Sequence, residues 1–216
     1  MPVEVVLQYL GPIGQGMLVT VALTVLGTVL ALIIGLFGAL ARLYGPWPLR
    51  AVVGAYVEVI RGTPQILQLF AVFFGLTQYG IQLDAFTAAA IWLSAYGGAY
   101  AVELFRAGLH SIPHEQREAS AALGISRWTT LRKVILPQAL ATILPAMVSF
   151  LVLQVKNSSL AFTIGVMDIM RRAELGVNAT SQATLLYLMA VTAYFILNFP
   201  LSRLGIALER RVAQYR

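Results

Sequence analysis

One polar stretch decides how the rest of this chain is organised: IPHEQREASAALGIS, residues 112–126, set in an otherwise strongly hydrophobic sequence. Pro113 stands where a helix can begin without losing a needed N–H, and Glu115 falls in its first turn. Gly124 stands where a helix should end, because glycine takes the left-handed conformation at no steric cost. Ser126 can then cap a following helix. The pattern predicts a short capped helix of about three turns on a water-exposed side of a membrane protein.

Composition outside this stretch indicates a membrane protein. The 216 residues are 59% hydrophobic and only 11% charged, against roughly 25% charged residues in soluble domains. The absence of cysteine excludes disulfides and thiol–metal sites. A net charge of +6 would suggest a nucleic-acid partner in a soluble protein, but here it fits arginines concentrated at the inner leaflet. We therefore expect lipid around the chain and no nucleic-acid partner.

Long apolar runs predict an all-α membrane protein with five transmembrane helices, spanning about residues 16–41, 51–79, 85–109, 132–155 and 182–204. The second run is interrupted by two charged residues and by the helix-disturbing residues 62–64. Pro137 and Pro145 are predicted kinks in the fourth. Gly35, Gly38, Gly97 and Gly98 offer close helix approach, either within the bundle or at a dimer interface.

These runs form a single membrane domain, residues 16–207. We expect residues 1–15 to form an extracytoplasmic N-terminal segment and residues 208–216 a cytoplasmic tail. No cleavable signal peptide is expected, because residues 1–8 carry no positive charge and the following apolar run is too long for one.

Basic residues set the predicted orientation. They concentrate in the loop after the first span, the loop after the third span and the C-terminal tail, whereas the other side carries only Lys156, Arg171 and Arg172. Because arginine and lysine are enriched in cytoplasmic loops, we predict the N-terminus outside and the C-terminus in the cytoplasm. The polar stretch is then cytoplasmic.

Several chemistries find no support in the sequence. There is no G-x-x-x-x-G-K-[ST] loop, so the chain is not predicted to bind ATP through a P-loop or to be an enzyme. His110 and His114 could share a helix face, but Pro113 should break that helix and no third ligand is nearby. We predict no metal site and no catalytic residues.

The polar stretch matches a long motif of fixed spacing. Glu118, Ala119, Ser120, Gly124, Val134, Leu136 and Pro137 resemble the signature E-A-A-x3-G-x9-I-x-L-P, with conservative departures at Ser120 and Val134. That signature belongs to the membrane subunits of binding-protein-dependent ABC importers. The resemblance implies a type I (MetI-like) transmembrane domain in which residues 113–124 form a coupling helix that docks the ATP-binding subunit. It extends from about Gly16 to Arg211.

Two further segments are similar to one subfamily, the polar amino acid permeases. Residues 58–70, EVIRGTPQILQLF, look like its E-x-x-R-G-T-P-x-x-x-Q-L-F segment. Residues 156–160, KNSSL, followed by Ile164 and Asp168, resemble its K-[DN]-[ST]-S-L…I…[ED] segment. The chain thus resembles permeases of the histidine, glutamine, arginine and glutamate type.

This resemblance implies a permease of the bacterial cytoplasmic (inner) membrane that works by alternating access. It implies a second permease copy or homologue, two cytoplasmic ATP-binding subunits that hold ATP and magnesium, an extracytoplasmic solute-binding protein and a polar amino acid substrate. The chain itself needs no cofactor. The competing class is a stand-alone secondary transporter or channel, which would need no ATPase partner.

Ionisable groups at membrane depth supply the remaining candidates. Glu58 and Arg61 are three residues apart and are predicted to form a structural ion pair. A zwitterionic amino acid needs an anionic and a cationic partner, which leads to a hypothetical substrate site near the middle of the membrane. Its members would be Gln65, Lys156, Asn157, Ser158 and Asp168. Asp168 could equally be the N-cap of a short helix, residues 169–173.

Overall fold

The computed structural model of the chain describes residues 2–213, and within that range the regular structure is helical, with no strand. Within residues 2–213, nine α-helices follow one another: α1 (Pro2–Tyr44), α2 (Trp47–Gly62), α3 (Gln65–Phe70), α4 (Ala85–His110), α5 (His114–Ala122), α6 (Arg127–Thr130), α7 (Leu136–Ser158), α8 (Ile169–Thr180) and α9 (Ala183–Ala213). π-Helical turns follow α3 and join α6 to α7, and a 3-10 turn (Ser159–Ile164) follows α7.

Four helical segments are long and apolar enough to cross a membrane, and the bent pair α2–α3 makes a fifth if it counts as one span. The four are Val3–Tyr44, Ala85–His110, Arg127–Ile164 and Ala183–Arg211. The all-α architecture with five candidate spans therefore agrees with the sequence prediction.

The second span is broken at a sharp corner, because α2 and α3 meet at 114°. Thr63 has extended backbone angles, as expected for a residue before proline, and Pro64 begins α3 without needing a backbone donor. Gln68 braces the corner from the α3 side by donating to the Ile60 carbonyl at 2.8 Å and to the Thr63 hydroxyl at 2.8 Å. Residues 62–64 therefore redirect the chain and do not merely disturb one helix.

The first helix is much longer than predicted. Its 43 residues span about 64 Å at 1.5 Å per residue, roughly twice the hydrocarbon thickness of a bilayer. The described part of the predicted N-terminal segment is a continuation of the first span, and Pro12 does not interrupt it. These turns pack onto α8, where a side chain added at Gly176 would meet the Tyr9 ring at 2.7 Å.

Glycines bring α1 and α4 into close contact. An added Cβ at Gly35 would meet the backbone of Ala101, and one at Gly98 would meet the Ile34 side chain at 2.7 Å. Gly97 lies against Ala31 and Gln154, and Gly38 against Val102. Of the two alternatives left by the sequence, all four glycines are therefore used inside the bundle.

The fourth span begins and ends further out than predicted, because helical structure runs from Arg127 to Ile164. A π-helical turn, Leu131–Ile135, precedes Pro137, which lies in the first turn of α7. Such a turn accommodates the ring that would otherwise clash with the carbonyl four residues back. Pro145 lies inside α7 without ending it.

Candidate functional site

The polar stretch forms α5, a helix with defined ends at Pro113 and Gly124. Pro113 occupies the N-cap position, just before the helix, whereas the sequence placed it at the first position inside the helix. At the other end Gly124 has φ +72, its N–H donates to the Ala121 carbonyl at 3.0 Å, and the Ile125 N–H donates to the Ser120 carbonyl at 3.0 Å. This pair of bonds is the Schellman arrangement, so the helix ends at a defined residue as the sequence predicted.

A side-chain hydrogen bond joins α5 to the start of α7. Gln138 donates to the Gln116 side chain at 2.7 Å and to the Val134 carbonyl at 2.9 Å. Ser120 is buried and donates back to the Gln116 carbonyl at 2.8 Å. Displacement of α5 would break the bond between Gln138 and Gln116, so we expect α5 and the base of the fourth span to move together.

The remaining motif residues surround this junction. Pro137 lines a hollow of about 770 Å³ together with Pro113 and Gln116, so the C-terminal end of the motif lies beside the N-terminal half of α5. Glu118 and Ala119 are exposed on α5, and Leu136 is exposed beside Pro137.

Glu118 has a partner within its own helix. The His114 ring nitrogen Nδ1 lies 3.1 Å from its carboxylate, at the i,i+4 spacing that favours such pairs. Both side chains remain largely exposed, so the carboxylate can still accept a hydrogen bond from another protein.

Two apolar side chains beside α5 were missed by the sequence analysis. Leu123 is 78% exposed and Trp128 is 69% exposed, although neither lies in one of the predicted spans. Leu123 follows α5, and Trp128 lies in α6 at the first turn of the Arg127–Ile164 segment, so both offer apolar contact area beside α5. A second hollow of about 530 Å³ lies on this side of α5, between Glu118, Ile125 and Arg127. The sequence feature that could have indicated these two residues is a bulky apolar residue on each side of Gly124, Leu123 before it and Trp128 after it.

The predicted substrate residues are divided among three places. Gln65, in the first turn of α3, donates to the Tyr96 hydroxyl of α4. Lys156 is exposed near the end of α7, and Asn157 beside it is buried with its side-chain N–H group unsatisfied by any described residue. The buried Ser158 hydroxyl donates a hydrogen bond to the Val155 carbonyl at 2.8 Å.

Asp168 lies at a third place, between the fourth and fifth spans, where it caps α8. Its Oδ1 accepts from the Arg171 N–H at 2.8 Å, and its Oδ2 accepts from the Tyr194 hydroxyl at 3.3 Å. Burial raises the pKa of this carboxyl to about 7, although both hydrogen bonds act in the opposite direction. The backbone of Asp168 packs on Gly16, where a Cβ would lie 2.8 Å from the carbonyl oxygen.

This geometry matches the capping alternative for Asp168, with a helix longer than predicted, Ile169–Thr180. The structure does not join Asp168 and Lys156 as an ion pair among the described side chains, nor does it bring Gln65 to either of them by a hydrogen bond. Because the carboxylate has no exposed surface, it cannot reach a ligand in this conformation.

The predicted pair of Glu58 and Arg61 is also not brought together in the part of the chain that the structure describes. Both residues are exposed, and the Arg61 guanidinium lies 5.5 Å from the centre of the Tyr100 ring. The ion cluster nearby is formed by Glu103, which binds Arg42 at 3.0 Å and Arg106 at 2.6 Å. The cluster thus combines a pair three residues apart on α4 with a contact between α4 and α1.

No group of three or more histidine, aspartate or glutamate side chains is placed to hold a metal ion among the described residues. The site is therefore a capped exposed helix on one side of the bundle and a set of polar side chains inside it. A helical membrane domain with these two features is of the transport class.

Comparisons with known proteins place the chain in a family. The model of the binding-protein-dependent transport system inner membrane component matches residues 27–214, so the chain belongs to that family. It is 38% identical to the L-cystine transport system permease protein TcyB of Bacillus subtilis, over 99% of this chain and 92% of that protein. It is 36% identical to the glutamine transport system permease protein GlnP of Escherichia coli K12, over 92% and 91%.

Solved structures agree with this assignment. A crystal structure of an amino acid ABC transporter with histidines superimposes with a TM-score of 0.89 at 34% identity, over 95% of this chain and 96% of that one. An inward-facing MetNI methionine ABC transporter gives a TM-score of 0.70 at 25% identity, over 92% and 97%. The fold is thus that of ABC importer membrane subunits, and the chain is a polar amino acid ABC importer permease.

Proposed function

We propose that this permease is driven by ATP hydrolysis on a separate subunit, which docks on α5. The observation that carries the proposal is a short helix that begins after Pro113 and ends in a Schellman arrangement at Gly124, outside the spans and hydrogen-bonded to the base of α7. A rigid helix transmits the motion of a docked partner better than a flexible loop. The exposed Leu123 and Trp128 supply apolar contact area, and Glu118 supplies a charge for a basic residue of the partner.

The complete importer would contain a second permease copy or homologue, two ATP-binding subunits and an extracytoplasmic solute-binding protein. ATP and magnesium would be held by the ATP-binding subunits. The N-terminus would lie outside the cell and α5 in the cytoplasm, as the distribution of basic residues favours.

A polar stripe on α7 supports a transport pathway between two permease copies. Thr142, Ser149 and Lys156 are seven residues apart, which places them on one helix face. Ser149 and Lys156 are exposed in the single chain. Charged and polar groups on a membrane helix usually face an aqueous cavity or a protein partner, so we assign this face to the pathway.

The substrate would meet the cationic end of this stripe. Lys156 would bind the carboxylate of a polar amino acid, and Asn157 and Gln65 would offer hydrogen bonds. Ser158 would line the same region. Asp168, proposed with them from the sequence, would act through its cap on α8, where it accepts from the Arg171 N–H and from the Tyr194 hydroxyl of α9.

Reconstitution tests the energy source. The permease would be placed in liposomes with its ATP-binding subunit and binding protein, and uptake of cystine, glutamine and arginine measured with ATP inside. We expect uptake that requires ATP and survives ionophores. Uptake that needs no ATPase and stops when ion gradients are collapsed would instead establish the stand-alone secondary transporter.

Docking is tested separately by Trp128→Ala. Truncation of a buried interface tryptophan costs about 2 kcal/mol or more, so we expect at least about thirtyfold weaker retention of the ATP-binding subunit. Tyr79→Ala is the matched control, because Tyr79 is an exposed aromatic residue in the turn between α3 and α4. Equal retention by both variants would refute the docking surface.

A further inference from the structure

An apolar groove of about 570 Å³ lies between the C-terminal half of α1 and α2, away from the site described above. The α1 wall contains Ile34, Phe37 and Gly38, and the α2 wall contains Leu49, Val53 and Tyr56. Its volume is in the range of small-molecule pockets. The groove therefore has room for part of an elongated ligand.

The lining offers that ligand hardly any polar group. Tyr56 is the polar side chain among the six, and its hydroxyl donates to the Ala95 carbonyl of α4. The tyrosine thus presents its ring to the groove while its polar end is occupied elsewhere. Such a surface suits a hydrocarbon chain and not a peptide or a sugar, whose polar groups would lose hydrogen bonds there.

One end of the groove is basic. Ile34, Gly38 and Arg42 are four residues apart on α1, so Arg42 continues the groove-lining stripe by one turn. Its guanidinium lies beside Gly54 of α2, within 3.8 Å of where a Cβ would stand. Arg50 follows Leu49 in the first turn of α2 and is exposed.

The positive charge at this end is not fully compensated. Arg42 shares the single Glu103 carboxylate with Arg106, so two guanidinium groups face one carboxylate. Within the part of the chain whose side chains are described, no carboxylate pairs with Arg50. An anionic group at the groove end would be attracted to both Arg42 and Arg50.

We propose that this groove binds one acyl chain of an anionic phospholipid, with Arg42 and Arg50 holding its phosphate. A second copy of the chain is the less favoured occupant, because a two-fold contact would bring the same basic end of each copy together. The assignment to the cytoplasmic leaflet follows from the proposed topology. The preference for an anionic headgroup does not depend on it.

The test compares lipid retention by the purified importer complex. The complex would be exchanged into mixed micelles with phosphatidylglycerol or phosphatidylcholine of identical chains, and bound lipid counted by native mass spectrometry. We expect preferential retention of phosphatidylglycerol. Arg50→Gln should lower that preference about fivefold. This factor corresponds to roughly 1 kcal/mol, the contribution of one basic residue near an anionic lipid surface. Arg203→Gln, a matched exposed arginine on α9, should leave it unchanged.

Groove occupancy needs a second variant. Ile33→Trp fills the mouth of the groove from an exposed position and should reduce retention while both arginines remain. Equal retention of the two lipids by the unmodified complex, or equal losses in the Arg50 and Arg203 variants, would overturn the proposal. So would a disulfide between two copies of Phe37→Cys, which is informative because the chain contains no other cysteine. Uptake measured on the same preparations keeps a failure of the transport proposal separate.

Discussion

Replacing Gly124 by valine is the sharpest test of the coupling role of α5. Gly124 has φ +72, and nothing lies within 4 Å of an added Cβ. The substitution therefore causes no collision with neighbouring groups, and its effect comes from backbone strain alone. A residue with a side chain costs about 1–2 kcal/mol in the left-handed region, and a β-branched residue is least tolerated there.

That strain makes the observed end of α5, with residue 124 in the left-handed conformation, less stable relative to other conformations of the turn. A change of 1–2 kcal/mol corresponds to a factor of about 5–30 in an equilibrium constant. We expect Gly124→Val to lower the rate of substrate-stimulated ATP hydrolysis by a factor in this range. The rate would be measured on the assembled complex, with the same amounts of permease and ATP-binding subunit in each sample. The binding of substrate by the separate solute-binding protein should not change.

Gly124→Asn is the matched control, because asparagine tolerates the left-handed conformation. It should retain most of the stimulated activity. Gly165→Val is a positional control with the same kind of backbone strain. Gly165 also has positive φ and open space around an added Cβ, but it lies in the turn between α7 and α8, far from α5 in the sequence. Equal activity in the valine and asparagine variants at position 124 would refute the reasoning that a defined helix end is required.

Three further substitutions test the interior. Asp168→Asn keeps the N-cap. Burial raises the pKa of the Asp168 carboxyl in the folded state to about 7. The carboxyl therefore stabilises the folded state most at low pH, and this contribution is lost as the pH rises toward 7. A melting-temperature series from pH 5 to 8 should therefore be flatter in the variant, and parallel curves would contradict the assignment. Lys156→Gln should raise the substrate concentration for half-maximal uptake about 10–100-fold, with normal assembly by gel filtration, whereas unchanged uptake kinetics would remove Lys156 from the pathway. Gly97→Ala should destabilise the protein by about 1–3 kcal/mol, because its Cβ would meet the Gln154 amide; Gly62→Ala has open space and should have a much smaller effect in the same thermal unfolding assay.

The Glu103 cluster shows why ion pairs inside the bundle were hard to predict. Glu58 and Arg61 are neighbours on α2, and sequence spacing favoured them. In the fold, Glu103 of α4 binds Arg42 of α1 instead, a partner sixty-one residues away. Such a partner is set by how two helices cross, and that information is spread over all the residues of the helix contact.

Local features were determined by the sequence itself. Pro113 and Gly124 mark the ends of α5 because each restricts or permits backbone angles without help from distant residues. The apolar runs specify helices for a similar reason, since a chain in lipid must satisfy its backbone hydrogen bonds within each segment. The fixed spacing from Glu118 to Pro137 carried the family resemblance, which the family match supports.

Only the tertiary structure decided which faces meet. It turned residues 62–64 into a corner of 114°, placed Asp168 in a buried cap against Gly16, and left Leu123 and Trp128 exposed beside α5. These outcomes depend on packing between helices distant in sequence, where small differences in contact and burial select one arrangement over others. The sequence could therefore place the ends of α5 in the chain, but the partners of the interior polar residues required the assembled bundle.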